Sequence, residues 1–103
     1  MTTLSSSSPS SCPIGKIGDK LTTLDTPCLV VNRPSLMKNI ETMNTYVRGL
    51  RSDSTKDPDI WLRPHAKTHK SPHLAKILMD SDPSLVKGIC CQKLDEVDAM
   101  INR

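Results

Sequence analysis

Apolar and polar positions divide the chain into an unpatterned start and an alternating body. Met1 to Pro13 is rich in serine and proline and shows no apolar period, which predicts a disordered tail. Ile14 to Thr26 is a lead-in with glycines at 15 and 18. Cys28-Leu29-Val30-Val31 is then a short apolar run between Pro27 and Pro34, and predicts a short buried strand over Cys28 to Asn32. From Ser35 to Leu50 the pattern changes to a helical one. Leu36, Ile40, Met43, Val47 and Leu50 recur at steps of four and three and form one stripe, with Lys38, Glu41, Thr45 and Arg48 off it. Gly49 weakens the last turn. Arg51 to Asp59 is polar and closes in Asp57-Pro58-Asp59, a turn.

Ile60 to Ala66 predicts a second strand. Pro64 has no N–H to give a ladder, so the end of that strand belongs at an edge or rim. Ser71 is a good N-cap and Pro72 suits a first helical position, with Leu74, Ile77 and Leu78 as the apolar face. That helix ends near Asp80 to Pro83. Val86 to Cys91 is a third apolar run, with Gly88 allowing close packing. Asp95 and Glu96 then mark a helix start, and Leu94, Val97, Met100 and Ile101 give the helix its apolar side.

Strand, helix, strand, helix, strand, helix predicts an α/β fold, a parallel sheet with helices outside it. A parallel sheet is normally buried on both faces. Three strands leave open edges, so the expectation is the front part of a larger α/β protein. The alternative is a complete small α/β domain with a thin core.

Composition narrows the classes. The chain has 103 residues, no Phe, one Trp and one Tyr, so its core must be aliphatic. The net charge of +3 is spread among acids without a basic stripe, which argues against nucleic-acid binding. No apolar run approaches the ~20 residues that span a bilayer. Cys12, Cys28, Cys90 and Cys91 fit neither a zinc ribbon nor a disulfide framework and read as small apolar residues in a reducing compartment. The tail lacks the apolar core of a secretory signal. It is serine-rich and acid-free like a transit peptide but also lacks arginine, and the expected location is the cytosol.

The chemistry concentrates in Arg63-Pro64-His65-Ala66-Lys67-Thr68-His69-Lys70-Ser71-Pro72. A lysine that condenses with a carbonyl must be partly desolvated or lie near other cations. Lys67 has His65, His69 and Lys70 close in sequence, and along an extended strand it would share a face with His65 and Arg63. Lys70 lies past the strand end. The plain alternative is a solvated basic loop. His65, His69 and His73, spaced by four, raise a metal site as a second reading, but Pro72 starts a new helix after His69 and no Glu stands at the zincin position. The turn has no glycine, so a P-loop and a dinucleotide fold do not apply.

The residues from Arg63 to Lys70, with Pro72, resemble the cofactor-lysine motif of the D-threonine aldolase and D-serine dehydratase family. Asp25-Thr26-Pro27-Cys28-Leu29-Val30-Val31 resembles the family's opening strand, and Gly88-Ile89-Cys90-Cys91-Gln92-Lys93 its second barrel strand, followed by Asp95-Glu96. The resemblance implies an alanine-racemase-like (β/α)8 barrel of the pyridoxal-phosphate enzymes, followed by a C-terminal β domain that the first strand joins. On this reading residues 1–24 are tail and lead-in, and 25–103 are a partial barrel domain. It implies that Lys67 carries pyridoxal 5'-phosphate covalently, that His65 and His69 tune or orient it, and that Gln92 faces the cofactor. It implies a small D-amino acid substrate, a divalent metal with ligands outside this chain, and a homodimer for the full-length form. An aldolase would cleave Cα–Cβ of a 3-hydroxy-D-amino acid to glycine and an aldehyde. A dehydratase would convert D-serine to pyruvate and ammonia. The segment from Gly88 to Lys93 leans to the aldolase. Family members are several times longer, so the expectation is an incomplete and inactive fragment. A non-catalytic remnant or interaction fragment is the alternative of another class.

Overall fold

The computed structural model describes residues 15–53, 55 and 59–102. The expected serine-rich tail, Cys12 and most of the Asp57-Pro58-Asp59 turn lie outside the described residues. The chain divides into two units, one up to Val31 and one from Asn32 onward.

In the first unit the lead-in forms a single 3-10 turn, Leu21–Thr23. Asp19 Oδ2 accepts from the Lys16 N–H at 2.8 Å. The expected buried strand over Cys28 to Asn32 is corrected. Among the described residues its backbone makes no bridge, and Leu29 is 100% exposed, with Val30 and Val31 also exposed. The apolar run specifies a strand only where a neighbouring backbone pairs with it.

The second unit holds three helices: α1, Arg33–Ser52; α2, Pro72–Ser81; and α3, Leu94–Ile101. Helix α1 starts two residues before the periodic stripe predicts. Asn32 is its N-cap, accepting from the Ser35 N–H at 3.0 Å, and Pro34 sits in the first turn, where a missing N–H costs nothing. Its buried face is Ile40, Asn44 and Val47. Met43, expected on the stripe, is 50% exposed, and Asn44 takes the inward place. The Asn44 amide reaches α2, donating to Ser81 Oγ at 2.9 Å. Ser81 Oγ in turn donates to the Leu78 carbonyl. A buried amide needs such a partner.

Two extended segments flank α2 and pair in parallel. Leu62 bridges Val86 and His65 bridges Cys90. The Leu62 N–H donates to the Leu85 carbonyl at 3.1 Å and the Lys87 N–H to the Leu62 carbonyl at 3.0 Å. Further along, the Cys90 N–H donates to the Pro64 carbonyl and the Ala66 N–H to the Cys90 carbonyl, both at 2.8 Å. Pro64 therefore takes part through its carbonyl alone. From Leu62 to His65 is three residues, and from Val86 to Cys90 is four. The extra residue is a bulge, and Gly88 within it has φ +93°. Arg63 Nε donates to the Lys87 carbonyl at 2.9 Å, within the same bulge.

The core is small: Ile40, Val47, Ala66, Ala75, Leu85 and Val86. Its rim is held by polar contacts on the 82–87 turn. Asp82 Oδ2 accepts from Arg48 Nε at 2.9 Å, and Arg48 also pairs with Glu41 at 3.1 Å. Arg51 donates to the Ser84 carbonyl and Lys87 to the Pro83 carbonyl. Both cations lie over the Trp61 ring, 5.0 Å and 4.9 Å from its centroid. Arg48 holds the Glu41 carboxyl below its usual range. The Ser84 hydroxyl does the same for Asp82, with Arg48 adding to it.

Candidate functional site

The ten-residue stretch from Arg63 to Pro72 changes direction halfway, at Ala66. Up to His65 the chain is extended and paired. Ala66 is fully buried, and its N–H still reaches the Cys90 carbonyl. Its own carbonyl accepts from the Lys70 N–H at 2.7 Å, which closes a single helical turn over residues 66–69. Lys70 ends the turn with φ +50°. The chain then enters α2 through Ser71, whose Oγ accepts from the Leu74 N–H at 3.2 Å. Ser71 and Pro72 are thus the N-cap and first helical residue expected.

Lys67 lies on this turn. The expectation that it shares a strand face with Arg63 and His65 is corrected, because the backbone leaves the extended form before it. The lysine is exposed, and no hydrogen bond or ion pair among the described residues holds its amine. Its backbone N–H donates to His65 Nδ1 at 3.1 Å. The Ser71 N–H donates to His69 Nδ1 at 3.0 Å. Sequence reasoning put both histidines beside the lysine but missed that their acceptors are spent on backbone. The available signal was spacing. Each ring stands two residues before the amide it caps, as an Asx side chain does.

His69 Nε2 is buried and has no hydrogen-bond partner among the described residues. A buried donor of this kind is costly unless something meets it. Gln92 is exposed, on the bend after Cys90. In the parallel pairing it lies two residues past Cys90, and Lys67 lies two residues past the bridged His65. The pairing therefore brings the backbones carrying Lys67 and Gln92 out at the same end of two neighbouring segments. His73 is exposed on α2, apart from the turn.

Cys28, Cys90 and Cys91 are free thiols, each half-buried. Burial pushes the Cys91 thiol up from its usual range, and the Glu96 carboxylate and Cys90 add to the effect. A thiol so placed is poorly suited to act as a nucleophile. Among the described residues no three His, Cys, Asp or Glu side chains gather as a metal site. No helix among them is long and apolar enough to cross a membrane.

The arrangement places two exposed lysines, Lys67 and Lys70, on one turn at the end of a parallel-paired segment, with imidazoles accepting from the Lys67 and Ser71 N–H groups. The exposed Lys67 amine is accessible to a carbonyl group.

No family model matches the chain. It is similar to D-threonine aldolase of an Arthrobacter species, 34% identical over 84 residues, which is 82% of this chain and 19% of that protein. It is also similar to 3-hydroxy-D-aspartate aldolase of Paracoccus denitrificans, 33% identical over 78 residues, or 74% of this chain and 17% of that protein. The chain therefore spans under a fifth of the length of these curated relatives, and its sequence is related to that of lyases named for D-amino acid substrates.

Proposed function

We propose that this chain is the cofactor-lysine portion of a pyridoxal-phosphate-dependent lyase acting on 3-hydroxy-D-amino acids, cleaving Cα–Cβ to glycine and an aldehyde. The observation that carries the reading is Lys67, an exposed amine on a turn at the end of a parallel-paired segment. That is where barrel enzymes gather their reacting groups. The relatives support the substrate class, since both are named for aldolases of 3-hydroxy-D-amino acids. Two extended segments bridged in parallel on either side of α2 follow the chain order that a (β/α)8 barrel repeats, which supports the reading. Exposed Leu29, Val30 and Val31 are the positions that would join a separate β domain.

Pyridoxal phosphate, when bound, supplies a ring that takes up the electron pair of the bond that breaks. Lys67 would hold the cofactor through Nζ. His65 fixes the backbone that bears it, and Gln92 stands on the neighbouring segment end.

Incubation with pyridoxal 5'-phosphate, borohydride reduction and peptide mapping tests the reading. The expected result is preferential labelling of Lys67 over the other lysines, lost in Lys67→Arg. Labelling spread evenly over the lysines would refute it.

A further inference from the structure

The turn that carries Lys67 is closed by side chains as well as by backbone. His65 Nδ1 accepts from the Lys67 N–H at 3.1 Å, and His69 Nδ1 accepts from the Ser71 N–H at 3.0 Å. An imidazole nitrogen accepts only when it carries no proton, so each contact calls for a bare Nδ1. The same geometry therefore occurs twice in seven residues, once on the lysine and once on the N-cap of α2. His65 is also the residue bridged to Cys90. Its ring thus ties the first amide of the turn back to the paired segment.

We propose that His65 is a positioning residue for Lys67, acting through Nδ1 on the lysine's own amide, and that His69 does the matching work at the start of α2. The task needs an acceptor at the Nδ1 place and not an imidazole as such. Asn puts Oδ1 at that place. Gln carries its oxygen one bond further out, where Nε2 lies, and Ala carries none. The acceptor role stands on the turn geometry, and its consequence for a cofactor rests on the proposed lysine chemistry.

Long-range proton–nitrogen NMR of the unmodified chain reads the ring form directly. Both histidines are expected to show a bare, pyridine-type Nδ1 and a protonated Nε2. A protonated Nδ1 on His65 would overturn the proposal without any variant being made. The series His65→Asn, His65→Gln and His65→Ala then reads the Lys67 amide by hydrogen exchange. Asn should keep the wild-type rate, whereas Gln and Ala should raise it roughly fivefold, the factor for about 1 kcal/mol of net hydrogen bonding. Retained protection of the Leu62 and Cys90 amides shows that each variant is folded. Equal exchange in Asn and Ala would overturn the proposal. Phosphopyridoxyl labelling of the same series separates the two ideas. Labelling of Lys67 that falls in Gln and Ala but not in Asn supports both. Correct tautomers and exchange rates with no preference for Lys67 in any variant uphold the positioning role and refute the lysine chemistry.

Discussion

Two glycines should respond in opposite ways to the same substitution. Gly49 lies inside α1 with open space where a Cβ would stand, and Gly88 also has nothing within 4 Å of that point. Steric overlap is therefore absent at both, and only backbone conformation differs. At Gly49 the backbone is helical, and alanine should stabilise by about 0.5–1 kcal/mol. At Gly88 φ is +93°, in the region L-residues avoid. Holding alanine there costs ~1–2 kcal/mol, offset by ~0.4–1 kcal/mol of lost unfolded-state freedom. The net expectation for Gly88→Ala is a loss of about 1 kcal/mol. Urea unfolding followed by the fluorescence of Trp61 suits the test, since this single tryptophan touches Lys87 beside the bulge. With a slope of about 1 kcal/mol per molar urea, the two midpoints should move ~0.5–1 M in opposite directions. Gly88→Asn should cost less than Gly88→Ala, because asparagine tolerates positive φ. Gly88→Ala as stable as the native chain, or Gly88→Asn worse than Gly88→Ala, would refute the bulge reasoning.

Asn44→Ala should lose about 1–2 kcal/mol in the same assay, because it removes a buried hydrogen bond between α1 and α2. A double-mutant cycle with Ser81→Ala should show coupling, and strict additivity would refute the clip. Glu41 and Asp82 both have folded values held below their ordinary 4.5 and 3.8. Their contribution is complete above those values and fades as pH falls through and below them. Melting temperature in Arg48→Met should accordingly vary less with pH across that acid window, and the difference should shrink in high salt. The raised Cys91 thiol predicts slow alkylation near neutral pH, with faster reaction as pH rises. Glu96→Gln should speed it at fixed pH by removing a like charge, and an unchanged rate by mass spectrometry would count against the contact.

Local chemistry made much of this protein legible without coordinates. The stripe of α1 announced a helix, and Ser71-Pro72 announced the start of α2, because capping needs only residues close in sequence. The segments around Leu62 and Val86 were readable as extended runs, and Lys67 stood out by its company. Asn32 could have been read as the cap of α1 from the proline that follows in its first turn.

Other features depended on what lies across the fold. Asn44 faces inward because Ser81, 37 residues away, meets its amide. The bulge at Gly88 arises from pairing register, which no single segment contains. Lys67 left the strand face because the Ala66 carbonyl found the Lys70 N–H and an imidazole captured the lysine's amide. The run at Cys28 to Val31 shows the converse, since apolar, β-branched residues favour a strand but supply no partner backbone. Sequence by itself determined which residues carry the helices and which lysine amine stands among the histidines. The tertiary structure alone decided which backbone pairs with which, and therefore where that amine stands, because hydrogen bonds between distant segments are formed only by the folded chain.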